Sequence, residues 1–425
     1  MFQYLEQVEA FLHERRTLGI KPGLERMYAL LDAQHNPQKK LKAVHIAGTN
    51  GKGSTLTYIK AALMENNYRV GVFSSPSLTG LTGHMIIDNL PIEEERFLVL
   101  FNQLLPSIRE LDLNGMHATE FEIITAIAFM HFSEHVDIAV IEAGMGGKED
   151  STNCIQPVVS IITNIAKDHA SFLGNSLEEI AHHKAGIIKE NIPVVVGRVD
   201  PTCLSIINME AKSKTSARYL LDSDFFYMIN SISENSQLFD WSYKDLTYSI
   251  EIGMRGNHQV ENAATALMAL QVIERSGFEL DWNKVSTAFR YASFPGRFEK
   301  VSENPEIIID GAHNPNGMEA FIHTVNQIYS NKQKHLIFAG FKDKELEDMI
   351  RLALPHFDSI ALSTFDHTRA ADAEKLANVV QTDSIRIVDW MDELNEIKNG
   401  KDSYFFAGSL HFIGMVRGYL NKKSL

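Results

Sequence analysis

Short, almost uninterrupted apolar runs recur along this chain, and helical patterns separate them. KAVHIA (42–47), RVGVF (69–73), VDIAVIEAG (136–144), PVVSIITNI (157–165) and IPVVVG (192–197) are rich in β-branched residues and have few polar positions. A strand that alternates polar and apolar residues has one wet face, whereas a continuously apolar strand must be covered on both. The pattern predicts parallel strands with helices on either side, a doubly wound α/β layer. Residues 216–255 break the rhythm and read as an antiparallel excursion at its edge. GNHQVENAATALMALQVIERSG (256–277) reads as a helix ending near Gly277. A second alternation follows FPGRFE (294–299), with strands at EIIID (306–310), HLIFAG (335–340), SIALSTF (359–365), IRIVDW (385–390) and SYFFAGSL (403–410). The reading is a two-domain α/β protein: a P-loop parallel-sheet domain over 1–294 and a smaller Rossmann-like α/β domain over 299–425, hinged at Pro295-Gly296.

Several of these strands end in polar or glycine-rich residues, and open parallel sheets bind ligands outside the carboxyl ends of their strands. The first such ending is GTNGKGS (48–54). It departs from the strict phosphate-loop pattern G-x-x-x-x-G-K-[ST], because Gly48 and Lys52 are too close and Gly53 follows the lysine. Its context still favours phosphate: Thr49, Asn50, Gly51 and Gly53 place backbone N–H groups at a helix start. Lys52 can neutralise phosphate charge, and Ser54 or Thr55 can offer Mg²⁺ a hydroxyl. The bland alternative is a tight βα turn. Glu142 ends the third run and opens GMGGKEDSTN; it suits Mg²⁺ near phosphates or, more simply, caps the loop. His169 in KDHASFLG is a candidate metal ligand, although Mg²⁺ prefers oxygen. Lys184 in HHKAGIIK reads equally as an ordinary lysine. Asp310 and His313 in IIIDGAHNPNG could serve ribose, cation, phosphate or a reacting carboxylate, or simply stabilise a turn.

Composition excludes several classes. The net charge of −14 disfavours a general nucleic-acid binder. Two cysteines, Cys154 and Cys203, form no disulfide framework and no metal-type spacing. The N-terminus MFQYLEQVEAFLHERR is amphipathic and charged, unlike a signal peptide. No run reaches the ~18 apolar residues of a membrane helix. The expectation is a monomer in a reducing cytoplasm, with no nucleic-acid or membrane partner.

Taken together, GTNGKGS (48–54), SSP (74–76), TEFE (119–122), IEAGMGGKEDSTN (141–153), DH (168–169), HKAGIIK (183–189), the stretch from NHQ to Asn262, PGRFE (295–299), DGAHNP (310–315) and AGSL (407–410) closely resemble the folylpolyglutamate synthase/dihydrofolate synthase family of the Mur ligase superfamily. The resemblance implies a Mur-ligase-like ATPase domain and a C-terminal domain on the glutamate side of a cleft. It implies ATP-dependent addition of L-glutamate to the γ-carboxylate of a reduced folate, and also to dihydropteroate, through an acyl phosphate. Ser75, Glu142 and His169 match the family's Mg²⁺ sites, two ions in all, and Lys184 matches a lysine carboxylated in that family. Asn262, Arg297 and Asp310 match ATP contacts. His313 and Ser409 match the region associated with incoming glutamate. Thr119, Phe121 and Glu122 of TEFE, with Asp150, Ser151, Thr152 and Asn153, resemble the walls of the pterin site.

The resemblance breaks at SSPSL, where Ser77 replaces a common His, and in LTGHMIIDNLPI (81–92), where Gly83 and His84 replace a Glu-Arg pair. Lys148 stands where Arg is common, losing bidentate geometry. These departures bear on the acceptor, not on the fold. Two alternatives follow: a non-ligating paralogue that binds nucleotide or folate, and a Mur-type amino-acid ligase on another acceptor. The second usually needs an extra N-terminal domain, and only about 44 residues precede the phosphate-loop strand.

Overall fold

The computed structural model describes residues 1–423 except Leu78, Thr79, Gln381, Asp383, Ser384 and Asn399, and gives backbone alone at Ala170, Ser171 and Lys423. The strands of the first sheet are β1 (Ala43–Ala47), β2 (Val70–Phe73), β3 (Met85–Ile87), β4 (Leu90–Pro91), β5 (Ile138–Glu142), β6 (Val159–Ile162), β7 (Val194–Val196) and β8 (Arg218–Leu220). They lie in the order β4-β3-β2-β5-β1-β6-β7-β8. From β2 to β8 every pairing is parallel, whereas β3 and β4 pair antiparallel at one edge. The central strands β1, β2, β5, β6 and β7 are buried at every position, as their continuous apolar runs require.

Two cores lie side by side along one face of this sheet, as the strand registers require. In one, helices Leu5–Arg15, Glu94–Leu113 and Glu120–His135 bring Val8, Phe97, Phe101, Phe129 and Phe132 against Ala139 and Ile141. In the other, Ile180, Ile187, Ile206 and Ile207 pack on Ala47, Ile162, Val194 and Val196. Helix Glu120–His135 is apolar nearly all round because the core surrounds it. One reading needs correction. Residues 218–220, expected to join an antiparallel excursion, pair parallel with β7 and extend the large sheet. Only β9 (Phe225–Ile232), β10 (Gln237–Tyr243) and β11 (Leu246–Ile252) form the separate three-stranded sheet.

The remaining strands are β12 (Glu299–Glu303), β13 (Glu306–Asp310), β14 (Lys334–Phe338), β15 (Ser359–Leu362), β16 (Ile385–Ile387) and β17 (Ser403–Ala407). Their order is β12-β13-β17-β14-β15-β16. All pairings are parallel except β12 with β13, a half-exposed strand that the apolar pattern did not reveal. The chain divides into two compact units: Met1–Met228 with Phe239–Glu251 and Glu261–Ala292, and Ile229–Leu238 with Ile252–Val260 and Ser293–Leu425. Residues 229–238 and 252–260 thus group with the second unit, unlike the simple cut at 294. Local contacts explain this. Gln237 Nε2 donates to the carbonyls of Met254 and Gly256 at 2.9 and 3.1 Å, and Gly256 lies against buried Thr324.

Among the described residues no helix is long and apolar enough to cross a membrane. In the first unit, fully buried Phe289 stacks on Tyr58 of the helix that begins at Lys52, with ring centroids 4.7 Å apart. Phe289→Ala is expected to cost ~3–5 kcal/mol through the cavity it leaves, read as a lower denaturant midpoint for this unit.

Candidate active site

The loop after β1 is held from outside itself. Asn50 N–H donates to Asn164 Oδ1 at 2.8 Å, Thr163 Oγ1 donates to Asn50 O at 2.6 Å, and Thr49 Oγ1 donates to Ala166 O at 2.9 Å. All three braces come from the end of β6 and the loop that follows it. Gly51 has φ +83°, and a Cβ there would collide with Asn262 Oδ1, so the loop needs glycine and Asn262 packs on its backbone. The helix Lys52–Glu65 then starts within the motif, aiming its first N–H groups at the loop mouth. Lys52 Nζ donates to Gly48 O and Thr49 O at 3.1 and 3.2 Å and lies 3.8 Å from Glu142 Oε1. Glu142 is 6% exposed, and Ser54 is buried on the first helical turn, two residues after Lys52.

Lys184 sits in the last turn of helix Leu177–Ala185 and is 3% exposed. Burial, with the charge of Lys52 second, pushes its ammonium pKa down to about 7, while Asp168 and Asp150 pull it upward. The lysine is therefore within electrostatic reach of the loop lysine and of two carboxylates. His169, at φ +54°, lies 3.8 Å from Asp168 Oδ2 on a half-exposed loop. The donor set is rich in oxygen: the Glu142 carboxylate, the Ser54 and Ser75 hydroxyls, and Thr55 Oγ1, which is buried without a hydrogen-bond partner. That chemistry fits Mg²⁺, which uses one or two protein carboxylates and takes its other oxygens from phosphates and water. Among the described residues no three His, Cys, Asp or Glu side chains converge as a protein-only metal cage.

A cavity of about 530 Å³ opens beside this loop system. Ser75, Thr119, Phe121, Asp150 and Ser151 line it, together with Gly144, Met145 and Gly146 of the segment that Glu142 begins. Asp150 is pinned: Oδ2 accepts from Met145 N at 2.8 Å, and Oδ1 accepts from Thr152 N and Oγ1 at 3.0 and 2.5 Å. Burial raises its pKa, opposed by those donors. Glu122, Thr152 and Asn153 do not line the cavity. Glu122 forms a capping box with Thr119 and pairs with Arg26 at 2.9 Å. Asn153 Nδ2 ties Lys148 O to Gly186 O. Sequence reading missed one whole wall, formed by Arg15, Arg16 and residues 19–22. The Arg-Arg pair followed by Gly19 and Pro22 was visible, but nothing local linked it to residues a hundred positions away. His84 Nδ1 lies 3.0 Å from Ser74 O, so the altered 81–92 loop is anchored next to Ser75.

In the second unit Asp310 ends β13, and its oxygens accept from Phe298 N and Ala312 N, each at 2.8 Å. Burial raises the Asp310 pKa, and the charge of Arg297 opposes the shift. Arg297 stands over the Phe294 ring at 5.6 Å, and its Nη1 would lie 2.8 Å from a Cβ on Gly311. His313 Nδ1 is 2.9 Å from Gly311 O. Ser409 is buried, its Oγ accepting from His411 N at 3.2 Å.

A braced phosphate loop with a buried carboxylate beside its lysine, on a parallel sheet and joined in one chain to a second α/β unit, defines an ATP-dependent ligase of the Mur type. A family model described as the Mur ligase middle domain matches residues 46–270, and one described as the Mur ligase glutamate ligase domain matches 296–409. The dihydrofolate synthase/folylpolyglutamate synthase of Bacillus subtilis is 34% identical over 430 residues, covering 98% of this chain and 99% of that protein. The crystal structure of folylpolyglutamate synthase from Thermotoga maritima matches with a TM-score of 0.86 and 30% identity, over 99% of this chain and 97% of that one. FolC of Escherichia coli in complex with DHPP and ADP matches with a TM-score of 0.89 and 26% identity, over 100% and 99%. The chain belongs to the dihydrofolate synthase/folylpolyglutamate synthase family of the Mur ligases.

Gly51→Ala would force a left-handed conformation costing ~1–2 kcal/mol and push on Asn262. ATP affinity is expected to fall roughly tenfold, measured by titration calorimetry with a non-hydrolysable analogue, with the circular dichroism spectrum unchanged.

Proposed function

We propose that the protein is an ATP-dependent, ADP-forming ligase that adds L-glutamate to the γ-carboxylate of a folate, and to dihydropteroate. One observation carries this reading. The segment from Glu142 to Asp150 serves both halves of the site, with Glu142 facing the loop lysine and Gly144 to Gly146 and Asp150 lining the cavity. A substrate held in the cavity would lie against the same segment that carries Glu142 to the loop lysine, which supports this reading. The volume suits a drug-sized ligand, and Phe121, Met145 and Leu173 offer apolar walls with Asp150 as a fixed acceptor for ring N–H groups.

The substrate carboxylate attacks the γ-phosphate of ATP, forming an acyl phosphate and releasing ADP. The glutamate amine then attacks the acyl carbon and phosphate leaves. Two anions must meet in the first step, so positive charge has to be in place beforehand. Lys52 and the N–H groups of residues 49–54 supply it. Glu142 and Ser54 would hold one Mg²⁺, and Ser75, His169 and Lys184 a second; bound there, the ions cancel phosphate charge. We read Lys184 as carboxylated: a buried lysine with a pKa near 7 presents the neutral amine that adds CO₂. Asn262, Arg297 and Asp310 serve the nucleotide, and His313 and Ser409 the incoming glutamate. One chain carries both the loop and the cavity, in keeping with a monomer, and both cysteines are free, in keeping with a reducing cytoplasm.

The deciding experiment is glutamate-dependent ADP release, with Mg²⁺ and ATP, from dihydropteroate, tetrahydrofolate, methylenetetrahydrofolate and a UDP-muramyl substrate. Turnover with the last alone, or ATP binding without any glutamate-dependent turnover, contradicts the proposal. Lys52→Ala and Glu142→Ala are each expected to lower kcat by ~10²-fold or more; turnover near the parent's would remove their assignments. For Lys184, depression of the pKa means the amine is neutral above about pH 7 and protonated below it. A carbamate signal from ¹³C-bicarbonate is therefore expected at pH 8, fading as pH falls below 7 and absent in Lys184→Ala.

A further inference from the structure

We infer that His45 is a positioning residue for the pteridine-side substrate, acting through Thr152 to hold the Asp150 carboxylate in the cavity wall. The inference rests on the reading of the cavity proposed above.

His45 is the one polar side chain of β1, the strand that runs directly into the phosphate loop, and it is completely buried. Its Nε2 lies 2.9 Å from Thr152 Oγ1, which lies 2.5 Å from Asp150 Oδ1. The direction of the chain follows from chemistry. An ionised carboxylate only accepts, so the Thr152 proton points to Asp150. The Thr152 oxygen must then accept, so His45 donates from Nε2–H and leaves Nδ1 bare. Nδ1 indeed has no hydrogen-bond partner, although it is buried. Burial, followed by the charge of Lys189, brings the imidazole pKa to about 3, so the ring is neutral throughout the working range. It can orient but it cannot supply charge or a titrating proton.

An apolar residue would fill this central strand position without leaving a nitrogen unpaired. The histidine gives up stability, and the single bond it makes goes to the hydroxyl that orients a cavity-lining carboxylate. Thr152 is fully buried and does not line the cavity, so its influence on a ligand runs through Asp150. A hydroxyl polarised by a donor behind it also makes a stronger bond to the carboxylate. Removing His45 frees Thr152 to turn, and Asp150 then keeps only its backbone donors.

The test uses the full chain and four variants: His45→Leu, His45→Gln, Thr152→Val and Thr152→Ser. KM for dihydropteroate, tetrahydrofolate and ATP is measured for each, with direct dihydropteroate binding and thermal midpoints. His45→Leu and Thr152→Val are expected to raise KM and Kd for the pteridine substrate ~10-fold, with KM for ATP and kcat within about twofold. Thr152→Ser, which restores the hydroxyl, and His45→Gln, whose Nε2 can replace the ring N–H, should recover most of the loss. Pteridine KM unchanged in both disruptive variants overturns the inference, as does a parallel rise in the KM for ATP, which would mean general loosening of β1. If His45→Leu does not fold, His45→Ala takes its place with the same expected outcome, because Thr152→Val tests only the bond to Asp150. A parent protein that binds neither pteridine defeats the proposed function and this inference with it; a parent that binds, with variants that match it, defeats the inference alone.

Discussion

The parallel ladder between β1 and β5 sets Ile46 opposite Glu142, and the site depends on that register. Side chains alternate across a sheet, so a slip of one residue would turn Glu142 to the other face. In the observed register the carboxylate reaches the rim where the glycine loop begins, 3.8 Å from Lys52. The buried apolar residues of both strands hold the register, because slipping would drive them out of the two helical layers that cover the sheet. The phosphate loop is thus specified as much by the core beneath it as by its own glycines.

Crowding charge at one rim has consequences. Lys52 and Lys184 influence each other, and neither can be hydrated as a surface lysine would be. Lys184 responds by losing its proton easily, whereas the Lys52 ammonium is met by Glu142 and two loop carbonyls. Two lysines of one type therefore have different chemistry because of where they are buried. Asp150 and Asp310 are buried carboxylates handled in a third way, by backbone N–H donors from the turns they stabilise. Such acceptors keep a fixed direction, a requirement for recognising a ligand's hydrogen-bonding edge.

Much of this was legible in the chain. The continuous apolar runs identified the buried strands, and their polar endings marked the rim, because a parallel sheet exposes chemistry only where its strands stop. TEFE was read as cavity wall; in the structure Thr119 and Phe121 line it, while Glu122 closes a capping box, a role the T-x-x-E spacing also signals. Residues 218–220 and 299–303 were harder to see as strands, since half-buried edge strands lack the apolar signature. The Arg-Arg pair of the wall formed by Arg15, Arg16 and residues 19–22 was visible, but nothing tied it to the cavity, because its partners lie about a hundred residues away.

By itself the sequence determined the α/β class, the phosphate loop and the membership of motifs in one ordered set, all properties written in short stretches and local periodicity. Tertiary structure alone decided which of those residues share an environment. It packed Asn262 against Gly51, placed Lys52 within reach of Lys184, and connected His45 through Thr152 to Asp150. Burial and distance between remote segments set these relations, and they exist only once the sheet has closed its register and both faces are covered.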